Sequence, residues 1–317
     1  MPTGSRSAEA PPEAGLNESL RRLAAKQSAL QLRGQVLAVI RRFFAERGYL
    51  EVQTPVRIPA PAIEPHIVPE ASGDQWLRTS PELEMKRMVC AGYDKIYQIG
   101  PCFRRGERGA KHRPEYTMLE WYCVGATARD LELETCALLR AVCAELGRSV
   151  FSGVDLAAAP WRLRVGEAFW LWAGWDPVAA FDEDRFDLDM VEQVEPHFAE
   201  AAVPVILSDF PAPRAALARR HPEDPQVAER WELYLNGLEL ANAYTELTDV
   251  AEQRERFAAA MGDKSRLEEP LTPMPEAFLS ALAEGMPACA GIALGLDRLL
   301  MILLETDDIA DVMAFAP

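Results

Sequence analysis

The stretch from Cys102 to Gly125 constrains the fold more than any other. Ile96 to Phe103 is apolar and β-prone, Tyr116 to Val124 is aromatic and β-branched, and the segment between them is polar. The pattern predicts a strand, a loop and a returning strand. The loop carries Arg104, Arg105, Arg108, Lys111 and Arg113 in a chain whose net charge is -16. A local positive loop on an acidic protein points to a concentrated anion, most simply a nucleotide triphosphate. On the return strand, period-2 alternation puts Tyr116, Met118, Glu120 and Tyr122 on one face. An acid and two aromatics beside a basic loop fit a cationic group held next to a phosphate group. On the hairpin alone, a solvated hairpin of mixed surface accounts for these residues equally well.

A chain of 317 residues that is 49% hydrophobic can bury a large core, and its length allows one to three domains. The acidic balance argues against holding nucleic acid over a broad surface, which relies on clustered Lys and Arg, but leaves a local contact open. No run of about 18 apolar residues predicts a membrane span. Met1 to Gly15 has Pro, Ala and Glu but no apolar core segment, so it reads as a disordered tail rather than a secretory signal. The six cysteines, Cys90, Cys102, Cys123, Cys136, Cys143 and Cys289, form no Cys-x-x-Cys, and no His stands at zinc spacing. Reduced, buried thiols in a cytosolic protein are expected, with Cys136 and Cys143 facing the core from one helix.

Asn17 or Ser19 is placed to cap a first helix, and the period of Leu30, Val36, Leu37, Ile40, Phe43 and Phe44 stops at Gly48. A short strand, Tyr49 to Thr54, ends at Pro55. Trp76 to Ser80 reads as a strand, and Pro81 to Cys90 as a helix with Ser80 as its N-cap. Thr127 to Leu146 is an amphipathic helix. Residues 150 to 230 say less. Trp161 to Val165 and Val203 to Asp209 read as strands, Phe186 to Ala202 as a helix, and Asp182-Glu183-Asp184 as a solvated turn. Trp170, Trp172 and Trp175 are expected to pack together. Trp231 to Thr248 is strand-like around an Asn236-Gly237 turn, yet Glu232, Glu239, Asn242 and Glu246 punctuate it. Buried acids need a partner or a metal, whereas an edge strand would expose them. Asp249 to Met261 and Pro275 to Glu284 read as helices. Cys289 to Leu304 reads as a small-residue strand entering a buried helix through Asp297-Arg298, and Arg298 needs an anionic partner such as a phosphate.

Together these segments resemble a class II aminoacyl-tRNA synthetase catalytic domain, with three ordered motifs across residues 28 to 317. The helix, short strand and Pro55 match motif 1. Phe103-Arg104 with the return strand matches motif 2, and Gly-Ile-Ala-Leu-Gly-Leu-Asp-Arg, ending at Arg298, matches motif 3. Thr79-Ser80-Pro81-Glu82, Thr117 to Tyr122 and Glu239-Leu240-Ala241-Asn242 with Glu246 are lysine-type. An anticodon-binding barrel does not fit before residue 28, so residues 1–27 are expected to be a tail and lead-in helix. This combination resembles the elongation factor P–lysine ligase family, truncated paralogues of lysyl-tRNA synthetase that attach (R)-β-lysine to a lysine of elongation factor P.

The resemblance implies an α+β fold, a mainly antiparallel sheet flanked by helices, assembled as a homodimer in the cytoplasm. It implies ATP, (R)-β-lysine or lysine, and elongation factor P as partners, with no membrane and no stable tRNA binding. It also implies an aminoacyl-adenylate, made by positioning and charge neutralisation. Arg104 would hold the α-phosphate and substrate carboxylate, and Arg298 the far end of ATP. Tyr116 and Arg298 would sandwich the adenine, with Arg105, Gly106, Glu107, His112, Arg113, Leu240 and Gly295 around the nucleotide. Glu232 and Glu239 would carry Mg²⁺. Glu82, with Ser80 and Pro81, would take the substrate's backbone-side amine. Glu120, Glu246 and Tyr122 would take the ε-ammonium, with Asn242 and Ala293 completing the pocket.

Two departures stand out. The Arg-x-Glu of motif 2 is here Arg104-Arg105-Gly106-Glu107, so either the Glu is displaced by one or Arg105 takes the arginine's place. Ala293 replaces the middle glycine of motif 3, as in the ligase family. The competing readings are a paralogue acting on tRNA and a non-catalytic lysine sensor. Arg104, Arg298, Glu232 and Glu239 together argue against the sensor.

Overall fold

The computed structural model describes residues 13–65 and 67–316. Residues 1–12 of the expected tail lie outside the described residues, while 13–15 are helical. The first helix, Glu13–Ala25, starts ahead of both expected caps, Asn17 and Ser19. Glu13, Ala14 and Leu16 are good helix formers, which favours the earlier start.

The second helix, Gln27–Glu46, buries Val36, Val39, Ile40, Phe43 and Phe44. It stops where the sequence says it should. Gly48 sits at φ +75°, the Gly48 N–H donates to the Ala45 carbonyl, and the Tyr49 N–H donates back to the Phe44 carbonyl. The Tyr49 and Phe44 rings, 5.1 Å apart, add the apolar contact that closes such a helix end. Phe44 then stacks on Tyr97 at 4.6 Å and meets Trp121 edge-on at 5.1 Å, which seats the helix on one face of the main sheet.

That sheet has eight strands in the order Leu50–Glu51, Lys95–Phe103, Glu115–Val124, Cys289–Gly295, Leu238–Thr245, Val227–Leu235, Val205–Pro211, Trp161–Arg164. The two outermost pairings are parallel and all the others antiparallel. Lys95–Phe103 and Glu115–Val124 form the expected hairpin. A second hairpin, Val227–Leu235 and Leu238–Thr245, turns at Asn236 and Gly237, both at positive φ as a tight hairpin turn requires. It lies inside the sheet, so its acids are not edge-strand acids. The helices Gln27–Glu46, Ala128–Leu146 and Leu296–Leu304 share one core cluster over one face. A second cluster joins the helices Glu82–Cys90, Val250–Arg266 and Glu276–Gly285 to Ile96, Tyr122 and Cys289 of the sheet.

Several expectations shift. The Trp76–Ser80 strand is Gln75–Leu77, part of a separate three-stranded sheet. Asp182-Glu183-Asp184 is no turn: Asp182 caps the Glu183–Asp189 helix, accepting from the Arg185 N–H, and the other two acids lie in its first turn. Helix continues through a π segment, Met190–Val194, to Ala199. Trp172 and Trp175 pack on the core there, but Trp170 is 67% exposed because it falls on the opposite side of its helix. Ala128–Leu146 carries the full capping box between Thr127 and Asp130. All six cysteines are free thiols, Cys136 and Cys143 among the buried ones. No helix among the described residues is long and apolar enough to cross a membrane.

Phe44, fully buried and in contact with four aromatic rings, is the joint between helix and sheet. Phe44→Ala is expected to cost about 3–5 kcal/mol, read from denaturant unfolding. A loss under about 1 kcal/mol would mean that the helix is not seated on this face.

Candidate active site

The register of four antiparallel strands builds the site. Glu232 pairs across with Asn242, Asn242 with Ala293, and Ala293 with Glu120, so these four stand in one row. The next row is Arg230, Tyr244, Gly291 and Tyr122. Period-2 alternation sends both rows to the same face. Glu239 is three residues from Asn242, and straight alternation would put it on the opposite face. A register irregularity between Leu233 and Tyr234, opposite Ala241 and Glu239, brings it round. All nine of these residues line a cavity of about 390 Å³.

One end of the cavity is cationic. Arg104, Lys111, His112, Arg113 and Arg298 line it. Arg298 donates to the Glu239 carbonyl at 2.7 Å, and its guanidinium lies 2.7 Å from His112 Nε2. Burial and the neighbouring Arg298 charge lower the His112 pKa, so the neutral ring accepts from the arginine. Arg104, not Arg298, lies over the Tyr116 ring, 5.3 Å from its centre. The next residue, Asp297, is buried and structural. It accepts from Arg33 of the second helix at 2.5 Å and from the Thr117 N–H at 2.6 Å, while Arg33 also donates to Thr117 Oγ1 at 2.7 Å. These bonds fix Arg298 relative to Tyr116.

The other end is acidic and buried. Glu120 is 2% exposed. Its Oε1 accepts from Tyr122 at 2.7 Å, and its Oε2 has no hydrogen-bond partner. Burial first, then the nearby Glu82, raise its carboxyl well above the ordinary range. Glu82 Oε1 accepts from Lys86 at 2.6 Å and from Tyr244 at 2.5 Å. Lys86 also pairs with Glu246 Oε2 at 2.5 Å.

At the side wall, Glu232 accepts from Arg230 and from Tyr234, each at 2.6 Å. Burial and the like charge of Glu239 raise its carboxyl. Two acids that repel each other beside a cavity favour a cation between them. Among the described residues no group of three or more His, Cys, Asp or Glu could hold a metal alone, so an ion here would need ligand oxygens as well.

Of the residues expected at the site, Ser80, Glu82, Arg104, Glu107, His112, Arg113, Tyr116, Glu120, Tyr122, Glu232, Glu239, Leu240, Asn242, Ala293, Gly295 and Arg298 line the cavity. Four do not. Pro81 is buried at the N-cap of the Glu82–Cys90 helix, one position before its expected place, and Ser80 Oγ accepts from the Glu82 N–H at 3.3 Å. Arg105 and Gly106 are exposed: Gly106 takes φ +82°, and that turn carries the chain outward before Glu107 returns to within 3.9 Å of Arg104. Glu246 lies beneath the floor, its side chain wholly buried against Lys86.

Sequence reasoning missed other wall and floor residues. Lys86 stands four residues after Glu82, a helical ion-pair spacing, and Tyr244, Arg230 and Gly291 follow by period 2 from Asn242, Glu232 and Ala293. Glu64 also lines the cavity, from a proline-rich loop with no periodicity to betray it.

The family model described as tRNA synthetases class II (D, K and N) matches residues 18–317, and the chain belongs to that family. The mainly antiparallel eight-stranded sheet flanked by helices is its catalytic architecture. The chain is 38% identical over 314 residues to the elongation factor P–(R)-β-lysine ligase of Haemophilus influenzae, covering 90% of this chain and 93% of that protein. It is 40% identical over 310 residues to the ligase of the same name from Vibrio cholerae serotype O1, covering 91% and 95%, and 38% identical over 316 residues to that of Photorhabdus laumondii, covering 90% and 93%. Within the class II synthetases, the chain belongs to the elongation factor P–(R)-β-lysine ligases.

The raised Glu120 carboxyl carries a stability consequence. A carboxyl whose folded pKa exceeds its unfolded value contributes most below the unfolded pKa and loses that contribution as pH rises toward the folded one. Glu120→Gln should therefore unfold at a higher temperature than the unliganded wild type at about pH 8, the two converging near about pH 4.5. A variant less stable at pH 8 would show that the carboxylate is satisfied in the empty cavity.

Proposed function

We propose that the chain is an ATP-dependent ligase that activates (R)-β-lysine, or lysine, and transfers it to a lysine side chain of elongation factor P. The observation that carries this reading is a pair of buried carboxylate oxygens, Glu120 Oε2 and Glu246 Oε1, without hydrogen-bond partners. A desolvated carboxylate oxygen calls for a cationic donor, and a diamino acid brings two. The arginine-lined end supplies what its carboxylate and a triphosphate need.

In the first step a carboxylate oxygen of the amino acid attacks the α-phosphorus of ATP. The bond to the bridging oxygen breaks, and pyrophosphate leaves with its electrons. Arg104 holds the reacting carboxylate and phosphate together, and Arg298, backed by Glu239 and His112, faces the leaving group. Tyr116 offers its ring to the adenine. Its hydroxyl, bonded to the Thr79 carbonyl at 2.9 Å, keeps the ring fixed. Glu232 and Glu239 are the residues to hold Mg²⁺, which when bound neutralises phosphate charge. In the second step the acceptor lysine, as the free amine, attacks the acyl carbon. AMP leaves, an amide forms, and the amine's proton passes to solvent or AMP.

Glu82 is assigned to the amino group nearer the carboxylate, and Glu120 with Tyr122 and Glu246 to the far ammonium. Ala293 stands between Glu120 and Asn242 in the sheet, where its methyl group meets the middle of the substrate. Residues 28–317 form the catalytic domain on this reading, acting as a cytoplasmic homodimer without stable tRNA binding. The structural departure at Glu246 bears on this reading: its free oxygen reaches the substrate only past Gly291.

Mass spectrometry tests the proposal. Elongation factor P incubated with the protein, ATP, Mg²⁺ and each lysine isomer should gain one lysyl adduct on one lysine, with (R)-β-lysine the better substrate. Arg298→Ala should abolish the adduct, because no other group replaces its guanidinium at the phosphates. No adduct with either isomer, or full activity of Arg298→Ala, would overturn it.

A further inference from the structure

A lysine side chain lies at the centre of the acidic end. Lys86 is 1% exposed and sits one helical turn beyond Glu82. Its ammonium contacts Glu82 Oε1 at 2.6 Å and Glu246 Oε2 at 2.5 Å, and stands 5.3 Å from the centre of the Tyr244 ring. Tyr244 in turn donates to Glu82 Oε1 at 2.5 Å. Each carboxylate thus gives one oxygen to the protein's own cation. Glu82 keeps Oε2 for the cavity it lines. Glu246 keeps Oε1, which has no partner and lies where a side chain on Gly291 would be: a Cβ there would overlap both Oε1 and the Tyr122 ring. Gly291 itself lines the cavity, so its missing side chain leaves this oxygen at the floor.

We propose that Lys86 is a positioning residue, one ammonium that fixes both carboxylates destined for the two amino groups of the substrate and sets the distance between them. The proposal rests on the function assigned above to Glu82 and Glu246. The ammonium also limits the rise that burial imposes on the Glu246 carboxyl. Burial pushes the Glu246 carboxyl up to about 8, and Lys86 opposes that rise. Burial would lower the Lys86 ammonium, yet Glu246 and Glu82 together raise it above the ordinary lysine value, so it stays charged. The other titratable groups facing the pair come from several elements. Glu120 and Tyr122 belong to the first hairpin and Tyr244 to the second. Glu64 comes from the proline-rich loop, Cys90 from the helix end and Cys289 from the central strand. Of these the carboxyls add to the negative field and Tyr122 donates to Glu120, which leaves Lys86 as the cation that offsets the field.

The test is pyrophosphate exchange with (R)-β-lysine and lysine over about pH 6 to 9. Wild-type exchange with either isomer establishes the underlying function, and its absence would sink that function rather than the role of Lys86. In Lys86→Met, KM for the amino acid should rise on the order of a hundredfold, with KM for ATP within about twofold. That amino-acid KM should fall again as pH rises, because without the ammonium the Glu246 carboxyl is protonated at neutral pH and regains its charge only in alkali. In the wild type, where Lys86 holds the Glu246 carboxyl to about 8, the fall should level off near about pH 9, whereas in Lys86→Met it should still be steep there. Equal rises in both KM values, or no pH dependence, would overturn the proposal. Lys86→Arg, which keeps a cation there and serves if the methionine variant does not fold, should raise the amino-acid KM while keeping the wild-type pH profile. An unchanged KM, or a pH profile displaced to higher pH, in the arginine variant would also overturn it.

Discussion

Carboxylates taken out of water must find cations, and this constraint organises the acidic half of the protein. Glu82, Glu120 and Glu246 are all buried around one face of one sheet. Lys86 meets two of them directly, and Tyr244 and Tyr122 supply hydroxyl donors. What remains is an excess of desolvated oxygen facing a cavity. Such an arrangement is destabilising in itself and is relieved by ammonium groups brought against it.

The cationic half works by a different device. Its arginines have little need of induced order, because the backbone positions them. Asp297 draws together Arg33 of a long helix and the backbone of Thr117, fixing the start of the Leu296–Leu304 helix against the hairpin. Arg298 follows Asp297, and Tyr116 precedes Thr117, so one buried carboxylate sets the separation between the Arg298 guanidinium and the Tyr116 ring. His112, kept neutral, accepts from Arg298 without adding a charge of its own.

Much of this was legible in the chain. The hairpin, the Gly48 helix end, the Asn236-Gly237 turn and the helix ending at Leu146 all follow from local rules that tertiary structure left alone. The face shared by Tyr116, Met118, Glu120 and Tyr122 came from period 2. Glu239 shows where that rule fails, since a bulge invisible in the sequence turned it onto the face of Asn242. Glu246 shows a different failure. Its spacing is right for the face, but whether it opens to the cavity depends on Gly291 and Lys86, which come from other elements. Glu64 had no local signal at all, since only the path of its loop brings it to the wall. In the Glu183–Ala199 region helix was readable, but which tryptophan faced the core was not, because Trp170 and Trp172 fall in a short helix, Val165–Trp172, that the sequence did not signal.

The central claim is that the empty site stores carboxyls whose protons are displaced by the ammonium groups of the substrate. Calorimetry of (R)-β-lysine binding at about pH 7, repeated in buffers of different ionisation enthalpy, measures that displacement directly. Because burial raises the carboxyls of Glu120 and Glu246, binding should release protons to the buffer, with a smaller release at about pH 9. Binding with no net proton release at neutral pH would contradict it, and the cavity would then be an acidic pocket already at rest.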